Sequence, residues 1–199
     1  MPAWNAKNIA HLLSRTLFGY SKQNLLAAQA YSSFSDLIDL ALLQDAPQPA
    51  APNTWVNTVP AASQTSSGET GTWYREFNYW WFNLMHKEGL AMREKMVLFL
   101  HNHFANERDK VVYPQNMYAQ NALFRNYALG NFKQLVKDIS KDPSMLIYLD
   151  GNNSRGSVPN ANYARELLEL FTMGIGNYTE TDVKQAAKVL SGWQVSGLT

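Results

Sequence analysis

Residues 114–150 read PQNMYAQNALFRNYALGNFKQLVKDISKDPSMLIYLD, and the punctuation of this run sets the fold class. Pro114 suits the first position of a helix, where the missing N–H is no loss and φ is already helical. The helix runs to Leu129 and stops at Gly130. Asn131 can cap the next one, in which Phe132, Leu135, Val136 and Ile139 recur at helical spacing. Asp142-Pro143, a capping residue followed by proline, opens a third, ending near Asp150-Gly151. Cap, apolar period and stop alternate three times without a strand-like alternation between them.

The same grammar extends both ways. Upstream, Asn5–Phe18 forms a first helix, with Ile9, Leu12, Leu13, Thr16 and Leu17 on one side and Gly19 after it. Ser21 caps a second helix to about Tyr31, and Ser33 with Asp36 opens a third through Leu42. Helical pattern covers Thr72–His86 and Leu90–Phe104. Downstream, residues 151–158 form a polar loop and Asn160–Met173 is helical by period, closed by Gly174 and Gly176. Thr179 with Asp182 opens a last helix to Leu190, closed by Gly192. Only Val111–Tyr113 looks like a strand. The expected fold is all-α, a compact bundle-like array of about nine or ten helices with short capped turns. Residues 1–199 are expected to be one such domain. Trp193, Val195 and Leu198 follow the last stop, and this unfinished pattern suggests the N-terminal part of a longer protein.

Residues 45–71 break the pattern with Pro47, Pro49, Pro52 and Pro60 among Ala, Ser, Thr and Gln. So long a connection is unusual in a compact domain. It reads either as a surface loop or as a flap anchored by Trp55 and Val56.

The chain has 199 residues, 46% hydrophobic and 17% charged, with no cysteine and a net charge of +1. That size suits one domain, and the apolar content excludes a disordered chain. Without cysteine there is no disulfide framework and no thiolate metal site. The near-neutral charge gives no electrostatic footprint for nucleic acid. Arg93-Glu94-Lys95 and Arg108-Asp109-Lys110 mix signs and form no basic patch. No apolar run approaches a membrane span, and residues 1–30 lack a signal-peptide pattern. This points to the cytoplasm, or to a periplasmic or extracellular site if a signal has been removed. Phosphate-binding glycine loops, a Gly-x-Ser-x-Gly elbow and a cysteine nucleophile are absent.

Two segments carry candidate chemistry. In Arg93–Phe104, Met92, Met96, Phe99, Leu100 and His103 share one helical face, and Glu94 and His101 lie two turns apart on the opposite one. A helix apolar nearly all round is usually buried, so these groups need partners. In Asn160–Phe171, Tyr163, Leu167, Leu170 and Phe171 make the apolar face, with Glu166 at its edge and Glu169 further out. Three readings follow. His101, His103, Glu166 and Glu169, with Glu94 beside them, could hold a divalent metal whose bound water is a hydrolytic nucleophile. Glu94, His103 and Glu166 could instead be the catalytic groups of a metal-free polar site. The structural reading has Arg165 paired with Glu169, and His103 and Glu166 hydrogen-bonded in the core. Neither the Glu-x-x-His spacing of di-iron bundles nor a zincin motif occurs.

Candidate binding residues complete the set. Arg15, with Asn8 and His11, forms the polar stripe of the first helix: a solvated face, or a partner for a carboxylate elsewhere. Trp73, Phe77, Trp80, Trp81 and Leu84 form a core stripe. Tyr79 and Phe82 fall off it and suit a sugar-stacking platform or a protein interface. Arg165 is a further binding candidate.

These segments resemble a large bacterial family catalogued as domain of unknown function 1800. The resemblance runs through His11–Arg15, Phe18-Gly19, Arg93–Met96, His101–Phe104, Gln120-Asn121 and Ala128–Phe132. It continues through Ser140–Asp150, Pro159–Leu167 and Gly174–Glu180, nearly the whole chain apart from 45–71. Leu100 stands where the family often has tryptophan, and Ala161 where it often has glutamate. The resemblance supplies no activity. It implies a chain commonly about twice this long, an envelope location and a protein partner. Two functions are therefore expected in outline: an envelope binding or assembly protein, or a hydrolase using the Glu/His cluster.

Overall fold

A computed structural model describes residues 2–195; Leu198, read above with Trp193 and Val195, lies outside the described residues. The fold is all-α, with twelve helices and no sheet among the described residues; one isolated bridge joins Arg155 and Val158. The helices are α1 (Ala6–Thr16), α2 (Lys22–Gln29), α3 (Phe34–Leu37), α4 (Ala62–Ser66), α5 (Glu69–Lys87) and α6 (Arg93–His103). They continue as α7 (Arg108–Val111), α8 (Pro114–Tyr127), α9 (Phe132–Ile139), α10 (Pro143–Tyr148), α11 (Ala161–Glu166) and α12 (Glu180–Val189). Both α3 and α11 run on into a π turn, Ile38–Leu42 and Leu167–Thr172 respectively.

Caps place these boundaries. The side chains of Asn5, Ser21, Ser33, Asn131, Asp142 and Thr179 each accept a backbone N–H of the first turn. Each satisfies a donor that the helix itself leaves free. Ser21 and Thr179 form full capping boxes, with Asn24 and Asp182 reaching back.

Helix α8 is the hub, packing against α5, α6, α7, α9 and α10. The main core gathers Val97 and Leu100 of α6 with Phe104 just after it, Phe124 of α8, Leu135 and Ile139 of α9, and Met145 and Leu146 of α10. Tyr163 and Phe171 close it from the α11 side. A second core, Ile9, Leu13, Leu17, Ala28, Leu37 and Leu42, holds α1–α3 together.

Three expectations need correction. Val111–Tyr113 is not a strand: Val111 ends the single turn of α7, and Val112 sits at φ 58 as the chain reverses into Pro114. The β-branched pair has no neighbouring strand to bond, so local turn geometry prevails. Helix α6 is not buried all round. It buries Glu94, Val97 and Leu100, and Phe99 is 55% exposed. The reason is the partner: a salt bridge to α8 draws the Glu94 side inward. Residues 45–71 are also more ordered than a plain loop, since they contain a 3₁₀ turn (Thr54–Asn57), all of α4 and the start of α5.

The first part of that segment is a strap across α5, α6 and α8. Arg93 Nη1 donates to the Ala46 carbonyl at 2.5 Å, and Gln48 Nε2 to Asn126 Oδ1 at 2.5 Å. Trp80 Nε1 donates to the Ala50 carbonyl at 2.8 Å. Trp55 is buried, its ring stacked 5.6 Å from Trp73 and its Nε1 donating to Glu76 at 2.7 Å. Trp55 thus ties the segment to α5.

Candidate functional site

The most densely bonded polar cluster lies between α5, α6 and α8. Glu94 and Arg125 form a bidentate pair: Nε to Oε1 at 2.5 Å and Nη2 to Oε2 at 2.7 Å. Their exposures are 2% and 3%, so the pair is sealed from water. Trp81 Nε1 donates to Glu94 Oε2 at 2.9 Å, and the Trp80 ring lies 5.2 Å from the guanidinium carbon. Such a pair persists in low dielectric because a planar fork meets a planar carboxylate and extra donors satisfy what remains. Arg125 Nη1 has no protein partner among the described residues. With Arg93, Asp45 and Asn126, the arginine lines a recess of about 140 Å³.

The network extends to His101. Arg125 Nη2 also donates to Asn121 Oδ1 at 2.8 Å, which leaves the Asn121 amide N–H to face His101 Nε2 at 3.1 Å. His101 Nε2 is therefore the acceptor, and its proton sits on Nδ1. Burial between Trp81 and Phe124, then the Arg125 charge, lowers the imidazole pKa from 6.5 to about 3. A neutral ring whose Nε2 lone pair is occupied is a poor proton acceptor near neutral pH.

One step along α8, Gln120 Nε2 donates to Asp142 Oδ1 at 3.0 Å, and Gln120 Oε1 accepts from Asn106. Asp142 caps α10 through the Met145 N–H at 3.1 Å. Burial raises its carboxyl to about pKa 7, against the pull of those donors. Helix α8 thus buries amides and a guanidinium where an ordinary core helix buries hydrocarbon. Sequence reading missed Arg125 altogether. The signal was there, since Asn121 and Arg125 are one turn apart and flank the buried Phe124.

The other candidates lie elsewhere. His103 points away from His101: its Nε2 is 2.9 Å from the Phe171 carbonyl, and Phe99, Phe104, Phe132 and Phe171 surround its ring. Glu166 is half-buried on α11 and makes no hydrogen bond among the described residues. Glu169 accepts from the Tyr178 hydroxyl. Arg165 does not pair with Glu169; its fork meets Glu180 of α12 at 2.6 and 2.9 Å. The carboxylate of Glu180 lies across the α11–α12 contact, within reach of that fork. Glu94, His101, His103, Glu166 and Glu169 are consequently not one cluster. Among the described residues no three His, Asp or Glu side chains are grouped to hold an ion. Arg15 is exposed and without an ion pair among the described residues. Tyr79 and Phe82, three apart on α5, are 71% and 69% exposed.

A cleft of about 670 Å³ lies between the α1–α2 turn and the α5–α6 turn. One wall holds Glu88, which the sequence reading did not single out. Its oxygens accept the Glu94 backbone N–H at 2.7 and 2.9 Å. Burial raises its pKa to about 7, and the Glu94 N–H works against that shift.

These features define an all-helical protein with a sealed ionic centre, exposed aromatics and an open polar cleft. Within that class, residues 11–198 match the profile of a family described as "Protein of unknown function (DUF1800)", and the chain belongs to that family. No curated protein and no solved structure matches it. No described helix is long and apolar enough to cross a membrane.

Proposed function

We propose that the chain is a binding or assembly protein of the bacterial cell envelope, acting through a protein partner. The observation that carries this reading is the exposure of four large aromatic side chains. Tyr79 and Phe82 project from α5, and Phe99 and Phe132 flank His103. Leu170 and Met173, on either side of Phe171 in sequence, are exposed as well. Aromatics and methionine are the residue types enriched at protein interfaces. The envelope location rests on the family resemblance.

A hydrolase built on Glu94, His103 and Glu166 would need these side chains to converge on an open pocket. Glu94 has both oxygens occupied by Arg125 and Trp81, and His103 faces a backbone carbonyl. The geometry favours binding over catalysis at these residues.

The test is site-specific photo-crosslinking in the producing bacterium. A photoreactive phenylalanine replaces Phe99, Phe132, Tyr79 or Phe82 in turn, and His11 as an exposed control. The proposal expects one adduct of fixed mass from an aromatic position and none from position 11, with an adduct at position 99 lost when Phe132→Asp is added. Adducts from every position alike, or from none, would refute it.

A further inference from the structure

The open cleft carries an inference independent of the aromatic patches. Its volume, about 670 Å³, is in the range of small-molecule sites. Phe18 and Tyr20 line it and are both partly exposed. Beside them stand two side-chain amides with free donors. Asn24 Oδ1 is used by the Ser21 N–H and hydroxyl, which leaves the Asn24 NH₂ unbonded. Gln23 is exposed and makes no hydrogen bond among the described residues. The ionisable groups of the wall are one lysine, Lys87, one imidazole, His86, and the Glu88 carboxyl, so no cluster of like charge lines it.

Gly19 adds a second argument. It lies between the two aromatics and lines the cleft. Its φ is outside the left-handed region, and a Cβ built on it meets no atom within 4 Å. Neither turn geometry nor packing requires a glycine there. What the missing side chain preserves is open space beside Phe18 and Tyr20.

We propose that this cleft binds a neutral saccharide. A pyranose has an apolar C–H face, which suits an aromatic ring, and an edge of hydroxyls, which suits neutral amides and a carboxyl group. Phe18 and Tyr20 supply the first surface. Asn24, Gln23 and Glu88 supply the second.

The experiment is calorimetric titration of the chain with cellotriose and with tri-N-acetylchitotriose, using thermal unfolding to check that each variant folds. The proposal expects millimolar or tighter binding of at least one probe. Gly19→Leu fills the space and should abolish it. Phe18→Ala and Tyr20→Ala should each weaken it about tenfold, the loss of one stacking contact of about 1.4 kcal/mol. Leu26→Ala, an exposed change on α2 outside the cleft, should leave binding intact. If neither trisaccharide binds, the proposal fails. It fails equally if binding survives Gly19→Leu together with both aromatic variants, which would locate the sugar elsewhere. None of these outcomes bears on the partner adducts expected from Phe99 or Phe132.

Discussion

The α6–α8 centre and the α11–α12 surface use the same vocabulary and put it to opposite ends. Each has an arginine fork on a carboxylate, Arg125 with Glu94 and Arg165 with Glu180, at nearly the same distances. The first is buried among Trp80, Trp81 and Asn121, and the second stands in solvent. Distance alone therefore says little about what a salt bridge does. Desolvation decides it: a buried charge that loses its partner has no water to replace it, while an exposed one does.

The largest expected effect follows directly. Glu94→Gln or Arg125→Met should cost about 3–5 kcal/mol in urea unfolding, because each strands the other charge in the core. Glu94→Leu combined with Arg125→Met should recover much of that loss. Arg165→Met should leave the unfolding midpoint unchanged within error. Equal losses at both pairs would erase the distinction between the regions.

Next in size is Gly151→Ala. The new methyl would stand 2.8 Å from Tyr163 Cδ1 and 3.0 Å from Leu146 Cδ2, both in the main core. Overpacking of this kind costs about 1–3 kcal/mol. Gly19→Ala, in open space, should cost far less, and comparing the two melting temperatures checks the contrast.

The pH dependence of stability sharpens the comparison further. The Asp142 carboxyl has a folded pKa of about 7, above its ordinary 3.8. The folded state holds the proton more tightly, so this contribution is full at acid pH and is lost as pH rises towards 7. Glu88 adds to the same limb. His101 runs the other way. Its folded pKa of about 3 lies below 6.5, so its contribution is full above 6.5 and is lost as pH falls towards 3. Asp142→Asn should remove part of the decline on the way up to pH 7, and His101→Gln part of the decline on the way down. Both should appear as differences between variant and wild-type stability profiles.

The smallest effect belongs to the exposed region. Glu169→Gln removes the charge from the half-buried contact with Tyr178 but keeps an oxygen that accepts from its hydroxyl, and should leave the melting temperature within error. A clear drop would mean that α11 and α12 depend on that contact more than their burial implies.

The helices were legible because their ends are local. Ser21, Ser33, Asn131, Asp142 and Thr179 announce first turns through a hydrogen bond three residues long, and the fold uses every one; Asn5, read as the first residue of its helix, is its cap. The exposure of Tyr79 and Phe82 was legible too, since both fall off a stripe of period 3.6. What failed was the extent of burial on α6. A helix apolar nearly all round reads as buried throughout, Glu94 included, yet Phe99 is exposed. The partner that buried Glu94 needs is Arg125, thirty-one residues away, and no local pattern connects the two. The strap over α5 and α8 was hidden for the same reason: Gln48, Trp80 and Arg93 clip it through backbone carbonyls and a side-chain amide, contacts that leave no period in the sequence.

The claim on which the rest depends is that Glu94 and Arg125 are sealed in the core where neither charge can do without the other, and that binding occurs on the surface outside them. A double-mutant cycle across these two residues, read by urea unfolding, measures it most directly. Strong coupling is expected, above about 1.5 kcal/mol, with each single change destabilising and the second change recovering much of the loss made by the first. Single changes that leave stability intact, or that simply add, would contradict it and return Glu94 to the list of groups free to do chemistry.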